Sequence, residues 1–512
     1  YRTYLMFVRV HSGAIDGIAA RDVTIEVNMS GGGIGLYIVG LPDNTIKESE
    51  QRILAAFGNS GYRMIHKKIV VNLAPADLRK EGSLYDLPIA VGILAVTEQI
   101  RTDMLSDSMF VGELSLNGTL RPVKGALPLV ALARERGLKR VFLPEENISE
   151  GAVVDGIDVV GVGSLLEICA ILNGNAPYTP AEHCIATADD ADCEFSDDFA
   201  DVKGQEYVKR ALVVAAAGVH NVIMIGSPGS GKTMLARRVP TILPPMTLEE
   251  ALETTKIHSV AGKIGTHRGL MSHRPFRAPH HLTSQVALIG GGQSPQPGEV
   301  SLANNGVLFL DEMPEFGRSV LEVLRQPLEE RHIAISRAKY SVDYPANFML
   351  VASMNPCPCG YYNHPTKECT CSAAAVHRYK AHISGPLMDR IDIHIEVVPV
   401  AVGELSSEQR AESSAEIRQR VVAARERQLK RFEGLDIHSN AEMTGAMLRK
   451  FAPLDKPSQM MLEQAMTALD LSARAYDRII KVARTIADLE GKENIEPAHI
   501  SEAIGYRTLD RR

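Results

Sequence analysis

The chain has 512 residues, a formal net charge of −7, and 45% hydrophobic against 23% charged residues. That length exceeds a single hydrophobic core, which stops growing near about 250–300 residues, so several globular units are expected. No apolar run approaches the roughly 18 residues of a membrane-crossing helix, and the acidic balance argues against a protein that coats nucleic acid with its whole surface, leaving room for a local basic channel.

At the start, Tyr1 to Val10 lacks the charged, apolar and small-residue order of a secretory leader. Seven cysteines in a chain this long do not make a disulfide framework, so a reducing cytoplasm is the expected setting. From Tyr4 to Asn173, β-branched runs such as Val23–Val27, Ile69–Asn72 and Val141–Leu143 alternate with helical patterns such as Ile46–Phe57 and Ala126–Arg136. This predicts an α/β domain over 1–174. Residues 175–201 mix Pro, Ala, Thr and acids without periodicity and read as a linker. Over 202–403, strand, glycine-rich turn, helix and further strands predict a second α/β unit with a mainly parallel sheet. Beyond it a charged amphipathic stretch leads into helical patterns, so 404–512 is expected to be a helical lid.

The second unit carries the chemistry. An apolar strand, Asn221–Ile225, runs into Gly226-Ser227-Pro228-Gly229-Ser230-Gly231-Lys232-Thr233 and then into the helical run Met234–Val239, a complete P-loop in its confirming context. Glycines let backbone N–H groups approach phosphate oxygens, Lys232 neutralises the β and γ phosphates of ATP, and Thr233 offers a Mg2+ ligand. A second apolar run, Gly306–Leu310, ends in Asp311 and Glu312, expected to hold Mg2+ and to polarise the attacking water. A third, Phe348–Met354, stops at Asn355, whose amide could orient that water.

The stretches Arg274–His281, Ala287–Gly292, Pro297–Ala303 and Ser384–Asp392 are far more discriminating than the P-loop. Through them the sequence resembles the YifB/ComM family of magnesium-chelatase-like AAA+ proteins over nearly its whole length. The resemblance implies a homo-hexameric ring in which Arg390, in Leu387-Met388-Asp389-Arg390, reaches into the neighbour's ATP site as an arginine finger. It also implies that Arg474, opening a lid helix at Ser472-Ala473-Arg474, contacts the γ-phosphate in its own subunit. A β-hairpin, His332–Ser336 with Tyr340–Tyr344, would present Arg337 and Lys339 to DNA at the pore. Around Asn72–Pro88 the N-terminal domain looks like the Lon-protease-type domain that also occurs without peptidase activity in the RadA recombination ATPase. Leu84 and Leu127 stand where the peptidase would have its Ser–Lys pair, so the dyad is missing from the aligned positions and a non-peptidase domain is expected; Ser83 with Lys124 is the disfavoured off-register alternative.

From Thr254 to Gly298 there is no acid, whereas Lys256, Lys263, Arg268, Arg274, Arg277 and five histidines fall there. Such a segment fits a surface tracking a phosphate backbone; the same residues could equally satisfy acids and carbonyls inside the fold. Cys357-Pro358-Cys359 and Cys369-Thr370-Cys371 are two pairs separated by nine residues. They read as a structural Zn2+ site or as free, redox-active thiols. The functional expectation is an ATP-dependent hexameric DNA motor, a helicase or branch-migration enzyme on single-stranded or branched recombination intermediates, with recombination proteins as partners. The alternatives are a chelatase-like ATPase remodelling a protein partner for metal insertion, and an ATP-dependent protease.

Overall fold

A computed structural model describes residues 7–31, 33–78, 80–183, 197–264, 269–292, 295–337, 340–364, 366–400 and 411–507. Two compact units emerge, and the division is not a simple cut: residues 1–190 with 248–272 form one, and residues 191–247 with 273–512 the other. The continuous 202–403 core expected from the sequence is thus interrupted by a 25-residue excursion, 248–272, that folds with the N-terminal unit.

In the N-terminal unit the strands β1 (Phe7–Asp16), β2 (Ala19–Ser30), β3 (Gly35–Val39), β4 (Lys68–Ala74), β5 (Ser108–Phe110), β6 (Arg140–Pro144) and β7 (Asp158–Val162) form one sheet in the order β3-β4-β2-β1-β5-β6-β7. Val23, Ile25 and Val27 alternate inward along β2, the period-two pattern of a strand with one face on a core. Helix α1 (Asn44–Asn59) presents Ile46, Ile53, Ala56 and Phe57 to that core, and α2 (Asp86–Val96) is buried throughout. Helix α3 (Ala126–Glu135) receives the excursion: the Gly125 N–H donates to the Ser259 carbonyl at 3.1 Å, and the Lys124 stem lies over Gly262. Within the excursion, helix Leu248–Val260 buries Ala251, Ile257 and Val260. Its Ser259 hydroxyl donates to the buried Glu150 carboxylate, which also accepts the Leu127 N–H at 2.8 Å. Burial pushes the Glu150 carboxyl up, against those hydrogen bonds.

The second unit is built on β8 (Val222–Ile225), β9 (Phe276–Arg277), β10 (Val307–Leu310), β13 (Met349–Met354) and β14 (Ile393–Glu396), all parallel in the order β9-β10-β13-β8-β14. Strands β11 (His332–Arg337) and β12 (Tyr340–Pro345) form a separate antiparallel hairpin between β10 and β13. The central strands read as unbroken apolar runs because helices cover both faces of a parallel sheet. Helices α4 (Glu206–Gly218) and α5 (Lys232–Ile242) share one core with the C-terminal helices α7 (Ser414–Arg431), α8 (Ala473–Leu489) and α9 (Pro497–Gly505). The opposite face packs the short helix α6 (Arg325–Glu330), through Leu328, and the foot of the hairpin, through Ile333. No helix among the described residues is long and apolar enough to cross a membrane.

Candidate active site

Strand β8 ends at Ile225, where the chain must turn at once. A Cβ at Gly226 would lie 2.4 Å from the Val397 carbonyl oxygen, and Gly229 and Gly231 take φ of 79° and 92°, so glycine is required here. The turn delivers the first N–H groups of α5, which have no partner inside the helix, to an anion. Lys232 is buried; its Nζ donates to the Gly226 and Ser227 carbonyls at 2.7 and 2.9 Å and to Asn355 Oδ1 at 3.4 Å. Burial lowers its pKa, opposed by the charges of Asp311 and Glu312. The Ser227 and Ser230 hydroxyls are buried with no hydrogen-bond partner among the described residues. An orphaned buried polar group costs about 1–3 kcal/mol, which phosphate oxygens would relieve.

Thr233 Oγ1 donates to Asp311 Oδ2 at 2.8 Å, so the hydroxyl and carboxylate expected to hold Mg2+ already touch. Two further residues, not singled out from the sequence, complete the arrangement. Ser353 Oγ donates to the other Asp311 oxygen and accepts the Glu312 N–H at 3.1 Å. It is a lone hydroxyl in an apolar run two residues before Asn355, and that was its signal. Gln205 Nε2 donates to the Ser230 and Val398 carbonyls at 2.8 and 3.2 Å, fixing the P-loop from outside it.

Because all five strands are parallel, the sheet has two distinct edges. The P-loop, Asp311 with Glu312, and Asn355 follow the C-terminal ends of β8, β10 and β13, whereas Arg390 precedes the N-terminal end of β14. Val222 pairs with Ile393 and Ile225 with Glu396, so a strand length of about 13 Å, at about 3.3 Å per residue, stands between Arg390 and its own P-loop. Arg390 is only 6% exposed. Its Nη2 pairs with Glu329, Nη1 donates to the Pro386 carbonyl at 2.5 Å, and Nε is buried without a partner among the described residues.

Arg474 stands at the same edge, 3.5 Å from Asp389 and largely exposed. The contact expected between Arg474 and the γ-phosphate of its own subunit is therefore not assembled. The reason is the anchoring of α8 one turn further on, where Arg478 pairs with the buried Asp392. Burial alone would raise the Asp392 carboxyl, but Arg478, His220 and Lys481 outweigh it and hold it far below the usual carboxylate range. Burial in turn pushes the His220 imidazole down despite Asp392.

The hairpin forms where expected, each strand one residue longer than predicted, with Ile333 opposite Tyr344 and Arg337 opposite Tyr340. Lys339 lies outside the described residues. The acid-free stretch is divided between the two units. Arg274 donates to the carbonyls of Pro244, Pro245 and Asn305, and Arg277 forms a bidentate pair with Glu299 at 2.6 and 2.8 Å. For these two arginines the internal reading holds.

The Sγ atoms of Cys357, Cys359, Cys369 and Cys371 all lie within 4.8 Å of one another. Cys357 is 3.7 Å and Cys359 3.6 Å from Cys369. A tetrahedron with metal–sulfur bonds of about 2.3 Å has edges of about 3.8 Å, so these thiols fit Zn2+ in a closed, structural site. The N–H groups of Tyr361 and Thr370 hold the Cys359 thiol down at about 6. The loop touches the nucleotide site, since a Cβ on Gly360 would fall 2.5 Å from the Pro228 ring. In the N-terminal unit, Leu127 is buried, Ser83 donates to Glu113, and Lys124 lies over Gly262, so no Ser–Lys pair forms among the described residues.

A five-stranded parallel sheet with a P-loop and acid pair at one edge and two arginines at the other defines a P-loop fold of the AAA+ kind. The family model for magnesium chelatase subunit ChlI matches residues 198–405, its C-terminal model 411–507, and a further model of the ChlI subunit 25–147. The chain belongs to the YifB/ComM family of magnesium-chelatase-like proteins. It is 43% identical to the competence protein ComM of Haemophilus influenzae over 508 residues, 98% of this chain and 97% of that protein. YifB of Escherichia coli is 43% identical with the same coverage, and the magnesium-chelatase 38 kDa subunit of Cereibacter sphaeroides is 27% identical over 31% of this chain and 52% of its own.

Proposed function

We propose that this protein is an ATP-hydrolysing, ring-forming DNA motor, a homo-hexamer that drives helicase or branch-migration work on single-stranded or branched recombination intermediates. One observation carries the reading: Arg390 sits at the sheet edge opposite its own P-loop, so an arginine meant for a phosphate at that distance serves a neighbouring subunit. We assign Arg474 to the same neighbour, because it stands beside Asp389 at that edge.

Within a subunit, Lys232 and the P-loop N–H groups bind the phosphates, Thr233 and Asp311 hold Mg2+, Ser353 orients Asp311, Glu312 takes up the proton of the attacking water, and Asn355 positions that water. Bound Mg2+ neutralises charge on the transferred phosphoryl group. Arg390 of the adjacent copy stabilises the charge that develops in the transition state. The hairpin, whose first strand ends at Arg337, is the element we assign to the DNA backbone, with Arg337 and Lys339 as the residues that would contact it. The four cysteines would hold Zn2+, which would brace the loop behind Pro228, and a reducing compartment such as the cytoplasm would keep those thiols available.

The relative named a competence protein directs the choice of polymer to DNA. Family models bearing the chelatase subunit's name match 25–147, 198–405 and 411–507, but as a single relative the chelatase 38 kDa subunit matches 31% of the chain at 27% identity, against 98% at 43% for ComM. The family model over 25–147 bears the chelatase subunit's name, so the N-terminal unit alone does not separate the readings. Steady-state ATPase of the full chain with single-stranded and branched DNA across a salt series tests the proposal. Salt-sensitive stimulation, absent from Lys232→Ala, is expected; a confirmed ring whose turnover ignores DNA would hand the site to a protein-remodelling role.

A further inference from the structure

Arg390 could not act on a neighbour while seated as it is here. Its backbone is fixed: Asn221 Nδ2 donates to the Arg390 carbonyl at 3.1 Å, while Asn221 Oδ1 accepts the Leu350 N–H at 2.9 Å, tying the segment to β13 and β8. Only the side chain is free to change. Of its three nitrogens, Nη2 is held by Glu329, Nη1 by the Pro386 carbonyl, and Nε by nothing among the described residues.

Glu329 is placed to report on the hairpin. Its side chain is 53% exposed, so it is not locked into the core. It lies on α6, whose last residue is Glu330, and only Arg331 separates that helix from β11. Arg331 takes a left-handed φ of 59° and is held on both sides: its carbonyl accepts the Ala346 N–H at 2.8 Å from just beyond β12, and its Nη1 donates to the Phe348 carbonyl at 3.1 Å. A displacement of β11 and β12 therefore has a short, stiff path to Glu329.

Resting on the assignment of Arg390 to the neighbour's nucleotide, we propose that Glu329 is a positioning residue that keeps Arg390 retracted, and that movement of the hairpin strands on a bound polymer withdraws it. Polymer engagement is thereby converted into hydrolysis: without it Arg390 stays paired in its own subunit, with it the guanidinium is released to a phosphate. The charge-assisted pair is the hold, and its exposure on one side makes it light enough to exchange.

The test uses the full chain as assembled rings, with single-stranded DNA as the probe. Glu329→Gln keeps the shape and removes the charge. It should raise turnover without DNA about five-fold, equivalent to about 1 kcal/mol at 1.36 kcal/mol per decade, and bring the ratio of DNA-stimulated to basal turnover close to one, with KM for ATP unchanged. Glu329→Asp, which retains a carboxylate, should restore much of the wild-type ratio. A wild-type basal rate and ratio in Glu329→Gln, or a parallel fall of both rates, would overturn the proposal. Arg390→Ala separates the layers: its loss of turnover with retained ATP binding is expected, and normal turnover would instead remove Arg390 from the neighbour's site and Glu329's role with it.

Discussion

Ser353 illustrates how much one hydroxyl can carry at the nucleotide site. It donates to Asp311 and accepts from the Glu312 backbone, so it sets the direction of the carboxylate that is proposed to share Mg2+ with Thr233. Ser353→Ala leaves the strand's packing intact and removes about 1–3 kcal/mol of orientation. The Mg2+ concentration for half-maximal ATPase should therefore rise and kcat fall about ten-fold; an unchanged Mg2+ titration would count against the role. Asp392 acts on stability. Its folded pKa lies below its unfolded value of about 3.9, so its contribution is fully present at neutral pH and is lost as pH falls below that value toward the folded pKa. Asp392→Asn leaves Arg478 without its buried counter-charge at a cost of about 3–5 kcal/mol, and its melting temperature should lose much of the wild-type dependence on pH below about 4. At this scale the sequence was most legible where the chemistry is contiguous: the P-loop residues are neighbours in the chain. Glu329 and Arg390 are 61 residues apart and are paired only by the fold.

Among the elements, the cysteine loop and the lid helix α8 divide what a sequence can and cannot disclose. Two Cys-x-Cys pairs suggested metal ligation, and the loop between them brings the four thiols together. The contact of Gly360 with Pro228 was invisible, because nothing in a cysteine spacing says which wall the loop leans on. Chelation with a strong zinc ligand should therefore raise KM for ATP several-fold, restored by Zn2+, and Cys359→Ser should behave likewise; full activity of metal-free protein would remove the brace. The placement of α8 was illegible for another reason. The helix starts at Ser472-Ala473-Arg474 as the sequence indicated, with Ser472 capping it, but which sheet edge the helix meets is decided by Arg478 and Asp392, a pair drawn from two distant segments. Arg474 consequently lies at the edge opposite the one expected.

For the whole molecule, Lys232 and Arg390 lie on opposite sheet edges, and under the proposed function every active site would be a joint product of two copies. Lys232→Ala and Arg390→Ala, each inactive alone, should recover part of the ATPase when mixed and reassembled, because some junctions then join an intact P-loop to an intact arginine. Activity that stays at zero in rings verified to be mixed would argue against a shared site. The two-unit α/β plan and the helical C-terminal region were readable from periodicity, since sheets and amphipathic helices carry their own repeat. Membership of 248–272 in the N-terminal unit was not, because the Ser259 partners, Gly125 and Glu150, lie more than 100 residues upstream.

That excursion sets the terms on which the gene can be cut. A shortened protein beginning at residue 191 would keep the P-loop, the acid pair and both arginines, yet carry Ala251, Ile257 and Val260 with their covering surface deleted. The complementary fragment, 1–190, would lose the Ser259 hydroxyl and leave the Glu150 carboxyl facing water that it is built to exclude. Neither half is an interchangeable cassette. Any cut between the two units must carry 248–272 along with the N-terminal unit.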